Sequence, residues 1–333
     1  MSQVLIPTIK SREEIERDLR RGAPMREVPG PDAPRPERRP EWLKVRVQQG
    51  ENFTELRNIM RERGLHTVCE EASCPNIYEC WEAREATFLL AGDLCTRRCG
   101  FCDVMTAKPQ PLDQEEPAKI AEAVRLMGLK FAVVTGVARD DLDDGASAHW
   151  ATTVRAIRSA LPECSIEVLI PDFKGRREHP RESLARVIEA APNVLAHNLE
   201  TVRRIHPKIR PGFGYEASLE LLAWAKELKP DQVTKSNLIV GMGEREDEVY
   251  EAMRDLKAAS CDVLTIGQYL QPSVSWHLPV DRWVHPDEFA RYKTFGESEL
   301  GFAWVESGPL VRSSYHAGKQ YESAAARLHS SAR

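Results

Sequence analysis

Six cysteines fall between residues 69 and 102, in a chain of 333 residues that carries eight in all. Cys95, Cys99 and Cys102 lie in ATFLLAGDLCTRRCGFCDV with the spacing C-x3-C-x2-C, and Phe101 stands directly before the last of them. Three thiolates can hold three irons of a cubic 4Fe–4S cluster and leave the fourth iron open to a small molecule. An electron carrier normally closes its cluster with a fourth cysteine, often in C-x2-C spacing. A structural zinc site also wants a fourth ligand at short range. Neither pattern is present, so the spacing predicts an open iron–sulfur cluster. Upstream, CEEASCPNIYECWE places Cys69, Cys74 and Cys80 at C-x4-C-x5-C, a second set of three thiolates. A zinc knuckle completed by His66 competes for that set; a second cluster is the favoured reading. Cys164 and Cys261 stand alone among apolar residues and read as ordinary buried thiols.

These thiols need elements to position them. Apolar runs recur at 86–92, 131–137, 165–171, 194–200, 235–242 and 263–270. Helix-like runs separate them at Pro117–Met127, His149–Leu161, Arg181–Ala191, Leu219–Leu228 and Glu246–Ala259. Strands apolar along their whole length suit a parallel sheet covered on both faces. Six strand–helix units in series predict an α/β fold, a partial TIM-type barrel, with an open doubly wound sheet as the rival. Cys95, Cys99 and Cys102 follow the first strand, where barrel folds build their sites. Before the barrel, residues 52–63 read as an amphipathic helix with Phe53, Leu56, Ile59 and Met60 on one face, ended by Gly64. Residues 22–41 are dense in Pro and Arg and cannot hold a helix or a central strand. The expected divisions are therefore an extended arm at 1–50, a cysteine segment at 51–85, the barrel at 86–271 and a C-terminal extension at 272–333. In that extension 287–300 reads as helix, 302–311 as one more strand, and the tail after RSSYHAG as loose.

Bulk properties narrow the partners. The net charge is -5, whereas a nucleic-acid binder usually shows a basic balance. No apolar run is long enough to span a bilayer, and the N-terminus lacks the apolar stretch of a signal peptide. The expected location is the cytoplasm, where thiols stay reduced and clustered cysteines bind metal more often than they form disulfides.

C-x3-C-x2-C with an aromatic before the third cysteine resembles the radical S-adenosylmethionine (SAM) superfamily. Together with C-x4-C-x5-C and the C-terminal RSSYHA, the chain closely resembles the lipoyl synthase family within it. CEEASCPN, ARDDLDDG, HNLETV, GQYLQPS, HLPV and GPLVRSSYHA extend the likeness over roughly residues 40–320. The resemblance implies a radical SAM sulfurtransferase with two 4Fe–4S clusters. One, on Cys95, Cys99 and Cys102, binds and cleaves SAM. The other, on Cys69, Cys74, Cys80 and a serine of RSSY, donates sulfur. That serine is Ser314 in preference to Ser313. The implied reaction inserts two sulfur atoms at C6 and C8 of an octanoyl chain on a lysine of lipoyl carrier domains. Those are the E2 subunits of 2-oxoacid dehydrogenases and the H protein of glycine cleavage. A flavodoxin or ferredoxin is the implied electron donor. Unactivated C–H bonds offer no acid–base handle, which fits the absence of a Ser-His-Asp set or an H-E-x-x-H motif.

Further residues are assigned by position. Gly136, Arg139, Asp140 and Asp141 in TGVARDDL are candidates to hold SAM, although this stretch has TGVA where the family pattern is closer to TSVD. Asn198 and Glu200 are candidates for ribose or carboxylate contacts, with His197 more often structural at such a place. Lys235 and Ser236 are further candidates, in a stretch where Asn237 replaces a common Gly. Arg312 is placed to meet a substrate amide or a carboxylate, and Arg35, Arg38 and Arg39 to dock an acidic carrier. Rivals are another two-cluster enzyme such as a methylthiotransferase, biotin-synthase-like chemistry, an iron–sulfur electron carrier or scaffold, and a zinc-stabilised binding module.

Overall fold

The computed structural model describes residues 39–44, 50–62, 67–71, 74–273 and 277–331. Helices α1 (Glu51–Glu62), α2 (Val68–Glu71) and α3 (Ile77–Glu82) precede strand β1 (Thr87–Leu90). There follow α4 (Glu116–Leu126), β2 (Phe131–Gly136), α5 (Ser147–Ala160), β3 (Ser165–Leu169), α6 (Pro180–Glu189) and β4 (Val194–Ala196). Next come α7 (His206–Ile209), α8 (Tyr215–Leu228), β5 (Val233–Val240), α9 (Glu246–Ala258) and β6 (Val263–Gln268). The chain closes with α10 (Pro286–Thr294), β7 (Trp304–Gly308) and α11 (Ala317–Ser331).

The seven strands form one sheet in sequence order, every neighbouring pair parallel. A doubly wound sheet reverses its order at a switch point; this one never does. Successive crossovers of one hand put all the helices on one side, and the sheet curls into a partial barrel. The expected six units become seven strands, because 302–311 supplies β7 beside β6. The barrel so extends past residue 271 into the expected C-terminal extension.

A sheet that does not close leaves two edges with unpaired backbone groups. Thr67 forms an antiparallel bridge to Phe88 on the β1 side. Beyond β7, residues 309–318 run back toward the start of β2, and the next turn of chain stacks Tyr321 on Phe131 at 5.9 Å. The tail is a helix, contrary to the expectation of a loose end. Ala317, Gln320 and Ala324 share its buried face. Ala324 packs with Val194, Val233 and Val263 at the N-terminal ends of their strands, and Arg327 lies over Trp304 at 5.4 Å. Helix α11 covers that end of the barrel.

Helix α1 buries Phe53, Leu56 and Met60 as its spacing predicts. Phe53 meets Tyr78 and Trp81 of α3 at 5.3 and 5.2 Å. Glu82 of α3 accepts from the Phe53 N–H, one of the amides that a helix start leaves unpaired. Of the expected arm, residues 39–44 are packed, with Leu43 buried and Trp42 edge-on to His285 at 5.2 Å. Gly64, His66, Arg35 and Arg38 lie outside the described residues.

Lys235 on β5 and Glu167 on β3 are each 1% exposed and meet at 2.9 Å across β4. Burial raises the Glu167 pKa, and the ammonium opposes that rise. Removing one partner strands a charge in the core. Lys235→Met is expected to cost about 3–5 kcal/mol in urea unfolding of the metal-free chain, and Lys235→Met with Glu167→Leu to recover most of that loss.

Candidate active site

The first cysteine set begins where β1 ends. Leu94–Cys95 pairs in parallel with Met105–Thr106 and pins both feet of the loop. The Thr96 N–H donates to the Ala138 carbonyl at 3.1 Å, and the Gly100 N–H to the Ile209 carbonyl at 2.6 Å. His277 holds the Cys102 carbonyl through Nε2 at 2.9 Å, while Ser273 engages its Nδ1 at 2.9 Å. Arg97 binds the loop to the sheet: Nη2 reaches Asp140 at 2.6 Å and Nη1 reaches Asp172 at 2.8 Å, with Phe213 under the guanidinium at 4.1 Å.

Burial is the main cause that raises all three thiol pKa values. Cys99 rises to about 11, and the thiolates of Cys99 and Cys95 push Cys102 up further. Such mutual repulsion requires the three sulfurs to be neighbours. The Cys95 sulfur accepts backbone N–H groups from Arg97 and Ala138, each at 3.4 Å. Arg210 lowers the Cys99 pKa and Glu200 raises it, so both groups flank Cys99.

Behind them lies a buried polar network. Asn198 and Asn237 each donate to Glu200 at 2.9 Å, and Thr265 donates to Asn237 at 2.8 Å. Glu200 sits at φ 71°, a left-handed conformation rare for a side chain of this size. Asn198 Oδ1 and Arg210 Nε are buried with no partner in the structure. An unpaired acceptor and an unpaired donor beside the cluster loop suit a polar small molecule.

The second set faces the opposite end of the strands. Cys69, Cys74, Cys80, Ala86, Thr87, Phe131, Arg312 and Ser314 line one pocket. The Cys74 N–H donates to the Cys69 carbonyl at 3.1 Å, and the Cys80 N–H to the Asn76 carbonyl at 2.9 Å. Burial again dominates, raising Cys69 to about 12; the Cys69 and Cys74 thiolates push Cys80 higher still. Asn76 donates to the Leu310 carbonyl at 2.7 Å and ties this segment to the strand-end loop that carries Ser314. Ser314 lines the pocket; Ser313 is not among its lining residues.

The donors present fit an anionic iron–sulfur group at both places. Each offers three soft thiolates in a shielded setting, and the second adds one oxygen. The Trp81 indole N–H is buried with no partner within hydrogen-bond distance, and it acts as a donor toward the Cys69 sulfur, which lowers that thiol's pKa. Among the described residues no His, Cys, Asp or Glu group is drawn in as ligands of a single ion are. Ligands of one zinc share one centre, whereas ligands of a cubic cluster each hold a different iron.

Several assignments from sequence change in three dimensions. Lys235 is committed to Glu167 in the core and is not presented to the cluster loop. Arg139 is 2% exposed and spends its donors on Asp141, Ala91 and Gln110. Asp141 points with it toward a cleft that also contains Asp143, Asp144 and His149. The carboxylate that reaches the cysteine loop is Asp140, which accepts from Thr96 and Arg97. Gly136 has a packing cause: a Cβ there would stand 2.7 Å from Trp150 and 2.8 Å from the Leu90 carbonyl. His197 is wholly buried, bonded to Ile170 and Ser218, and its pKa falls to about 3, first through burial and then through Arg210. Arg210 and Asp172 carry no motif signal in the sequence, whereas Asn76 closes CEEASCPN and Trp81 follows Cys80 in the same segment. His277 has one, in HLPV.

The comparisons with known proteins agree with this geometry. The profile of the radical SAM superfamily matches residues 89–256. The N-terminal domain of lipoyl synthase matches residues 30–74. The FeFe-hydrogenase maturase HydG from Carboxydothermus hydrogenoformans aligns with a TM-score of 0.53 at 14% identity, over 83% of this chain and 63% of that one. SuiB from Streptococcus suis aligns at 0.51 and 10% identity, over 79% of this chain and 56% of that one. These two likenesses show the fold. The chain is a radical SAM protein. The lipoyl synthase of Mycobacterium ulcerans (strain Agy99) is 55% identical over 87% of both chains. That of Mycobacterium tuberculosis (strain ATCC 25618 / H37Rv) is 56% identical over 86% of this chain and 90% of that one. This chain belongs to the lipoyl synthase family.

Arg97→Met removes the cation that Asp140 and Asp172 share. In a chain whose second cysteine set is replaced by alanine, it is expected to weaken cluster retention roughly tenfold, read from iron content and visible absorbance after anaerobic reconstitution. Gly267→Ala drives a methyl group into the Val311 carbonyl beside the Ser314 loop. It is expected to cost about 1–3 kcal/mol in thermal unfolding and to lower iron content at the second site while sparing the first.

Proposed function

We propose that this chain inserts two sulfur atoms, at C6 and C8, into an octanoyl chain borne on a lysine of a lipoyl carrier domain. Two groups of three partly or wholly buried thiols, one in the loop after β1 and one in the pocket that Ser314 also lines, carry this reading. When bound, the first cluster with SAM supplies hydrogen-atom abstraction from unactivated C–H positions, and the second cluster supplies sulfur.

The protein's own part is holding, orienting and shielding. Cys95, Cys99 and Cys102 offer three ligands and leave a fourth coordination position free for SAM. Asn198 Oδ1 and Arg210 Nε, both buried without partners, are suited to its hydroxyl and carboxylate groups. Glu200 keeps Asn198 and Asn237 fixed. Cys69, Cys74, Cys80 and Ser314 hold the second cluster. An oxygen ligand on a metal centre that prefers thiolates is the weakest of the four and the natural one to release.

Octanoylated carrier domains of the 2-oxoacid dehydrogenase E2 subunits and the glycine cleavage H protein are the proposed substrates. A flavodoxin or ferredoxin is the proposed reductant, and the cytoplasm the proposed location. Among the described residues no helix is long and apolar enough to cross a membrane.

Mass spectrometry of an octanoylated carrier peptide tests the reading, after anaerobic incubation with cluster-loaded protein, SAM and a strong reductant. The expected result is a gain of two sulfur atoms with accumulation of 5′-deoxyadenosine. Deoxyadenosine without sulfur gain would overturn the substrate or the sulfur donor. Neither product, with both clusters present, would favour the electron-carrier reading. Ser314→Cys is expected to keep its iron and to lose product roughly tenfold or more, and undiminished product would refute release of the oxygen ligand.

A further inference from the structure

Arg312 reaches the second thiol pocket from the loop beyond β7. Its Nη1 donates to the Val311 carbonyl at 2.6 Å. No carboxylate among the described residues pairs with this guanidinium. Burial is the largest influence on it and lowers its pKa; the Cys74 thiolate acts the other way. A second cation stands nearby. Arg39, at the start of the packed end of the arm, lowers the Arg312 pKa further, and its own Nε is buried with no partner.

A guanidinium lining a shielded pocket, with no ion-pair partner among the described residues, is costly. The penalty for removing a charge from water is several kcal/mol per ion unless an opposite charge meets it. Glu85 also lines the pocket but is paired with His316 at 3.8 Å, so the other groups there that can face Arg312 with negative charge are the three thiols, once ionised, and the Ser314 oxygen. Gly267 on β6 preserves the arrangement. A Cβ there would collide with the Val311 carbonyl and stand 3.2 Å from Arg312 Nη1.

We propose that Arg312 is the counter-charge that positions and electrostatically holds the second iron–sulfur cluster, as a positioning residue rather than a substrate contact. The inference rests on the second-cluster reading above. A guanidinium has five N–H donors and stays charged in any accessible pH range. Positive charge and N–H donors near the sulfurs of a cluster raise its reduction potential, because they favour the more negative, reduced form.

The test uses the full-length chain with Cys95, Cys99 and Cys102 replaced by alanine, reconstituted anaerobically, so that only the second cluster is present. Iron is counted, and the midpoint potential is read from an EPR-monitored redox titration. Arg312→Met with its iron retained is expected to lower the one-electron reduction constant at least tenfold, about 59 mV. Arg312→Lys is expected to restore most of the change. Loss of iron from Arg312→Met that Arg312→Lys repairs also supports the proposal. An unchanged potential in Arg312→Met with full iron overturns it. Loss of iron from both Arg312 variants overturns it too, since the side chain's shape rather than its charge would then matter. If the parent chain itself takes up no iron, the second-cluster reading fails first and the proposal falls with it.

Discussion

A buried thiolate is unstable unless a cation meets it, and six thiols arranged in two groups make that constraint govern the molecule. Burial raises every one of their pKa values, and ionised neighbours raise those of Cys69, Cys80, Cys99 and Cys102 further. Groups placed this way fold without strain as neutral thiols, and become ligands only when a metal displaces their protons. The surrounding structure is arranged for the loaded state. Backbone amides point at Cys95, the Trp81 indole N–H is buried beside Cys69, and Arg312 lines the second pocket with no ion-pair partner among the described residues. None of these donors makes sense as packing alone.

The parallel sheet is what allows two such groups to exist apart. Its C-terminal end gives the loop between β1 and α4 a rigid frame, gripped by Arg97, His277 and Ile209. Its failure to close leaves a seam, and the second set lies beside that seam. There the pocket wall is shared by segments about two hundred residues apart along the chain, joined by Asn76 and the Leu310 carbonyl. The second site therefore forms only when both ends of the chain have docked. The seventh strand and the tail helix are part of that docking, since they bring Ser314 and Arg312 into place.

The buried polar core contains two kinds of charge. Lys235 and Glu167 neutralise one another and need nothing else. Glu200, Asn198 and Arg210 form a network with two atoms still unpaired. The first kind holds the strands together; the second is the mark of a site, because native interiors leave few buried polar atoms without a partner.

The sequence by itself determined the chemistry. Cysteine spacing is local, a loop of eight residues keeps its three thiols together in almost any conformation, and strand-length apolar runs announce a parallel sheet. Both cysteine sets and the α/β class were therefore legible. Tertiary structure decided everything that depends on direction. It turned Asp140 rather than Asp141 toward the cysteine loop, buried Lys235 against a carboxylate two strands away, and made a helix of a tail whose buried face has partners only in the folded barrel. It also supplied Arg210 and Asp172, which have no spacing signal because their neighbours are distant in sequence. Residue type and spacing fix which atoms can react; only packing over long separations fixes which way each side chain points and what charge it meets there.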